Sequence, residues 1–165
     1  MSTSQTLDPS AVAKVPSQPR AKQRFESILK ESEALLLEAG LAGFSIPALA
    51  ERLGYTRGSV YAYFPTAYAV INELASRYLA ELEALYVGRR EDLSRLNWRD
   101  AVRMVVDEAV NYYNQKPIAS LLILGGAATD DGYRAQELTI KRLGDLARAI
   151  YASKGLTFPQ DPDVA

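Results

Sequence analysis

The chain has 165 residues, 48% hydrophobic and 24% charged, which suits one domain or a small domain joined to a modest helical one. Its 19 basic and 20 acidic side chains leave a net charge of −1, so no global basic field exists and any nucleic-acid contact must come from a local patch. The absence of cysteine and histidine excludes disulfides, thiolate zinc sites and nucleophiles activated by imidazole.

The opening run Met1-Ser2-Thr3-Ser4-Gln5-Thr6 has neither a basic nor an apolar signal region, and a cytoplasmic protein is expected. Pro9, Pro16 and Pro19 lie in a Ser/Thr/Gln/Ala-rich stretch, so residues 1–19 read as a disordered leader. Beyond it, proline-free stretches rich in Ala, Leu, Glu and Arg predict helices, and no strand-like alternation is present.

The first helix is predicted over Ala21 to Ala39, with Phe25, Ile28, Leu29, Leu35, Leu36 and Ala39 at helical spacing and Ser32 in an otherwise apolar slot. Gly40 ends it. Ser45 reads as an N-cap with Pro47 in the first turn, opening a short helix to Leu53. After the Gly54-Tyr55 turn, Thr56 caps a helix to Phe64, and Pro65 ends it. Thr66 then caps a long helix to about Val87.

Residues 88–97, with Arg89, Arg90, Glu91, Asp92 and Arg95, read as a solvated connection. A helix from Trp98 to Gln115 follows, then Pro117, a short apolar helix to Leu124, and a break at Gly125-Gly126. A final helix is expected from about residue 131 to Lys154, with Gly155 beyond it. Gly125-Gly126 is not a phosphate loop, because no lysine follows, and Asp130-Asp131 reads as a helix start rather than a catalytic pair.

Residues 45–64 carry the most information. Two short helices joined by a glycine-bearing turn and preceded by a longer one form a three-helix unit of helix-turn-helix type. Ala50 and Gly54 supply small residues for a close helix crossing, and Leu49, Leu53, Val60 and Phe64 would pack on Ile28, Leu35 and Leu36. The second short helix carries Arg57, Ser59, Tyr61 and Tyr63, all hydrogen-bond donors, and its N-terminus favours a phosphate. On these features alone, an ordinary helical corner and a DNA-binding one are equally good readings.

The run from Gly43 to Thr66 resembles the DNA-binding domain of TetR-family transcriptional regulators. The resemblance rests on the Ala-x-x-x-Gly crossing at Ala50 and Gly54 and on Thr56-Arg57-Gly58-Ser59-Val60-Tyr61-Ala62-Tyr63-Phe64, and it extends over about residues 20–85. The chain departs from the family's pattern at Ala62 and Ala67, where larger polar or basic side chains are common. The resemblance implies an all-α protein with an N-terminal homeodomain-like helix-turn-helix domain over residues 20–66. A helical effector-binding and dimerisation domain would follow over 67–165. The end at Pro159 to Ala165 looks like the start of another helix, so this domain is expected to be truncated or to dimerise differently.

The function so implied is a one-component DNA-binding regulator, more often a repressor, released by a small-molecule effector and acting as a homodimer on a palindromic operator. The expected DNA-binding residues are Ser45, Thr56, Arg57, Gly58, Ser59, Tyr61, Tyr63 and Thr66, together with a basic arm of Arg20, Lys22 and Arg24. Two tyrosines two apart cannot share a helix face; by the resemblance Tyr63 reaches out and Tyr61 is partly structural. Tyr78, Met104, Tyr112, Tyr113, Leu121 and Leu122 are candidates to line a mostly apolar effector cavity, or else simply core. No catalytic residue, cofactor, metal or membrane contact is expected. The rival reading is an all-α protein-interaction module; an enzyme would have to rely on carboxylates, Tyr, Lys or a cofactor.

Overall fold

A computed structural model describes residues 9–125 and, beyond them, residues 141, 144, 145, 147–149, 151, 152 and 155. A 3-10 turn at Pro9–Ala11 precedes α1 (Pro19–Gly43), α2 (Ile46–Leu53), α3 (Arg57–Tyr61), α4 (Ala67–Gly88), α5 (Arg90–Arg95), α6 (Trp98–Gln115) and α7 (Pro117–Ala119), which runs on into a π-helical turn at Ser120–Leu124. No strand occurs among the described residues, and the fold is all-α. The start of the last predicted helix lies outside the described residues, but residues 141, 144, 145, 147–149, 151 and 152 are helical and Gly155 turns with φ +72°.

The helix starts follow their polar caps. Ser45, Thr56 and Thr66 accept from the backbone N–H groups of Ala48, Ser59 and Ala69 at 3.3, 3.2 and 3.2 Å. The Asn97 side chain accepts from Arg99 and Asp100 and starts α6. Gly40, at φ +68°, breaks α1 where the sequence predicts an end, although helical hydrogen bonding resumes to Gly43.

Three elements differ from expectation. α3 closes at Tyr61, one turn early: Phe64 is fully buried, so the chain must already swing inward ahead of Pro65. The charged stretch 88–97 contains α5, because Leu93 turns inward onto Ala101 while its charged neighbours stay in water. The leader is not free over residues 10–14. Ala11 is buried, the Thr66 hydroxyl donates to the Ser10 carbonyl at 2.7 Å, and the Lys14 N–H donates to the Tyr63 carbonyl at 2.7 Å.

The core of the N-terminal unit joins α1, α2, α3 and α4. Phe25, Ile28, Leu36, Leu49, Val60, Phe64, Val70 and Leu74 are all fully buried, and Phe25 stacks on Phe64 with ring centroids 4.7 Å apart. Each such side chain contributes roughly 1.5–3 kcal/mol of burial, so the two short helices α2 and α3 are held by packing rather than by propensity. Leu53 packs at the edge, only half-buried. Ser32 occupies its apolar slot without penalty, since its hydroxyl donates to the Ile28 carbonyl at 2.7 Å. Asn72 is likewise buried on α4, and its amide donates to the Ala11 carbonyl at 3.1 Å. An unmet buried amide costs roughly 1–3 kcal/mol, so this bond is what makes Asn72 tolerable there.

α4 also belongs to the C-terminal half. α7 packs on both α1 and α4, and α6 packs on α4. The Tyr112 hydroxyl donates to the Tyr78 carbonyl at 2.7 Å, and the Tyr78 hydroxyl donates to Glu33 on α1 at 2.7 Å. Lys116 pairs with Glu81 and lies 5.6 Å from the ring centroids of both tyrosines. No helix among the described residues is long and apolar enough to cross a membrane.

Candidate nucleic-acid interface

The corner between α2 and α3 is set by backbone geometry. Gly54 is left-handed at φ +64°, its N–H donates to the Glu51 carbonyl, and Tyr55 N–H donates to Ala50. Ala50 is fully buried at the crossing, as its small side chain requires. Gly54 is small for a different reason than expected: a Cβ there would meet nothing within 4 Å, so the need is for positive φ and not for space.

α3 presents its N-terminal side outward. Arg57 and Gly58 are exposed, Ser59 is half-buried, and the Thr56 and Ser59 hydroxyls lie 2.8 Å apart. The two tyrosines differ in exposure from what the sequence predicts. Tyr61 is exposed, while Tyr63 is half-buried with its ring edge-on to Phe25 at 6.0 Å. The early end of α3 causes this, because the residues after Tyr61 follow the chain back toward the core. Thr66 also takes a structural place: its hydroxyl oxygen caps α4 and its hydroxyl proton goes to the Ser10 carbonyl. Ser45 caps α2 as an acceptor.

The basic arm begins α1. Arg20, Lys22 and Arg24 are exposed and form no ion pair with any described residue, and Arg24 lies over the Tyr55 ring at 5.1 Å beside the α2–α3 turn. Arg57 is likewise unpaired among the described residues. Two other cations of this region, Arg52 and Arg77, are committed internally, while Lys30 on α1 is exposed. Arg52 bridges Glu31 at 2.7 Å and Glu38, and Arg77 bridges Glu26 at 2.6 Å and Glu73 at 2.8 Å. The Arg77 guanidinium holds the Glu26 carboxyl below its usual range, mainly by hydrogen bonding. With Glu33 accepting from Tyr78, four of the five acidic side chains of residues 20–65 are engaged, whereas the arm and Arg57 are not. Near-neutral composition thus hides an uneven charge distribution.

The six candidate cavity residues do not line one space. Tyr78, Tyr112 and Leu122 are buried in the main core, with Tyr113 and Leu121 packed at its edge. Met104 belongs to a separate cluster with Leu93 and Ala101. Beside it lies an open depression of about 290 Å³ lined by Asp100, Arg103, Met104, Asp107, Glu108 and Asn111, of which only Met104 is among the expected cavity residues. Among the described residues no group of acidic side chains could hold a metal ion.

Residues 28–74 match the family model of bacterial regulatory proteins of the tetR family. Among solved structures, the chain is similar to a transcriptional regulator of the TetR/AcrR family from Thermobifida fusca. The TM-score is 0.58 at 18% identity, and the match covers 86% of this chain and 77% of that one. At that identity the likeness is one of fold. No curated protein matches the chain in sequence.

Proposed function

We propose that this chain, a TetR-family DNA-binding transcriptional regulator by its helix-turn-helix domain, represses transcription from a palindromic operator and releases it on binding a small effector. α3 enters the major groove, where Arg57 reads a base edge and Ser59 and Tyr61 contact bases or phosphates. Tyr63 contributes only through its hydroxyl edge, since its ring is packed on Phe25. Arg20, Lys22 and Arg24 lie on the DNA backbone or in the minor groove.

The observation that carries this reading is the pattern of uncommitted cations. Arg52 and Arg77 are neutralised within the fold, while Arg57 and the arm stay unpaired among the described residues and face water around one helical corner. The arm is costly by itself, because cations at a helix N-terminus oppose its dipole, and the first turn of α1 has no acidic residue to offset them. A polyanion removes that cost. Exposed large apolar side chains occur in both halves, Val12, Val15, Tyr61 and Tyr68 in the N-terminal half and Val106, Val110 and Leu124 in the other, so it is the unpaired cations and not apolar exposure that favour DNA at this corner.

Effector release rests on α4, which packs in both halves. A ligand held by the C-terminal helices shifts the DNA affinity only insofar as it prefers one placement of α4 over another. The test of the whole reading is selection of bound sites from random duplex DNA by the intact chain. Enrichment of a two-fold symmetric motif, with binding that weakens steeply as salt rises, is the expected result. Uniform, sequence-blind recovery would leave only a nonspecific binder, and no recovery would return the corner to a protein-interaction role.

A further inference from the structure

The leader's hydrogen bonds to the DNA-binding unit run through its backbone, with the Ala11 and Ala13 methyls packed beneath them. Thr66 donates to the Ser10 carbonyl at 2.7 Å, the buried Asn72 amide donates to the Ala11 carbonyl at 3.1 Å, and the Lys14 N–H donates to the Tyr63 carbonyl at 2.7 Å. Ala11 closes the contact with a buried methyl. These bonds lay residues 10–14 across the start of α4 and against the segment that leaves α3. They use no charged side chain. The Lys14 side chain is therefore left exposed, unpaired among the described residues, two positions beyond the end of α3 in space although more than forty residues away in sequence. The first turn of α4, Ala67-Tyr68-Ala69-Val70, carries no charge of its own.

From this placement we propose that residues 10–14 form a strap belonging to the DNA-binding head, and that Lys14 is a DNA-backbone contact held beside α3 by Asn72. Lysine on its four-carbon stem acts at phosphates as a mobile point charge and does not need the fixed geometry of a base reader. Asn72 touches no DNA and is a positioning residue. The strap also fixes where the arm begins, since only residues 15–18 separate Lys14 from α1. The proposal rests on the DNA-binding reading above and adds a residue and its anchor to it.

The experiment compares the full chain with K14Q, N72L and the double variant, on a selected operator duplex and on a random duplex, over a salt series. K14Q is expected to lose roughly five- to tenfold in affinity, equally on both duplexes. The slope of log affinity against log salt should become shallower by about 0.9. N72L should lose a similar amount, and the double variant should be no worse than either, because a released strap no longer presents the lysine. Trypsin supplies a readout without DNA: cleavage after Lys14 should be slow in the full chain and faster in N72L, with no change in helical content. An unchanged salt slope in K14Q overturns the contact while leaving DNA binding intact. Strictly additive losses, or equal cleavage at Lys14, overturn the anchoring by Asn72. A full chain without salt-dependent DNA binding overturns the underlying reading instead.

Discussion

Gly58 is exposed on α3, and a Cβ built there would meet no atom within 4 Å. Its backbone is not among those with positive φ, so neither crowding nor conformation inside the protein asks for glycine. Glycine in a helix costs roughly 0.5–1 kcal/mol relative to alanine, and the remaining physical reason to keep it is a surface that approaches from outside. Gly58→Ala should therefore raise the thermal midpoint, by about 2–4 °C, while weakening operator binding. A stabilised variant with unchanged binding would detach Gly58 from the interface. Arg57, one residue earlier, has no internal partner among the described residues. Arg57→Ala should cost about 1–3 kcal/mol on the operator and relax preference at one base position, read by repeating the site selection. An equal loss on every duplex would make it a phosphate contact.

At the scale of elements, the head depends on three consecutive helix starts, each with a Ser or Thr oxygen on the third amide of its helix. Ser45→Ala removes the cap of α2 and should cost about 1 kcal/mol in denaturant unfolding, with the m-value unchanged. These caps also explain how much of the fold was legible. Pro117 ends the helix read from Trp98 to Gln115, and the predicted and observed helices coincide there, with the Asn97 cap seen only in the structure. Ser45, Thr56 and Thr66 mark α2, α3 and α4 in the same way. What escaped the sequence had no side-chain pattern to betray it. α5 buries a single leucine amid charges. The strap of residues 10–14 is bound through its own carbonyls and one N–H, so a composition typical of disorder conceals an ordered segment. The greater exposure of Tyr61 than of Tyr63 followed from one missing helical turn, and helix ends are where periodicity says least. In the candidate site, residue types were legible from the motif. The commitment of Thr66 to Ser10, and of Arg52 to two glutamates, depended on partners distant in sequence.

Across the whole molecule, the two halves meet at α4 through a pair of tyrosines. Tyr112 on α6 donates to the Tyr78 carbonyl, Tyr78 donates to Glu33 on α1, and Glu81 takes both Tyr112 and Lys116. Burial, reinforced by Glu33 for Tyr78 and by Glu81 for Tyr112, pushes both phenols well above their ordinary value. Burial raises Tyr86 and Tyr113 in the same direction. A folded-state pKa above the unfolded one of about 10 means the unfolded chain gives up its protons first as pH rises. This stabilisation is complete below about pH 10 and is lost as pH climbs through the raised folded values. Stability should therefore hold from pH 7 to about 9.5 and then fall steeply. Tyr112→Phe removes one titrating phenol and one hydrogen bond to the Tyr78 carbonyl. It should lower stability at pH 7 by about 0.5–1.5 kcal/mol and make the alkaline decline shallower. Denaturant unfolding of both proteins between pH 7 and 11.5 reads the two effects separately. Equal alkaline slopes would mean that the joint between the halves does not depend on the neutral form of Tyr112. If the joint does carry the effector's signal, the same variant should also bind operator with an affinity that responds less to whatever ligand the C-terminal helices accept, because the two placements of α4 would then differ by less free energy.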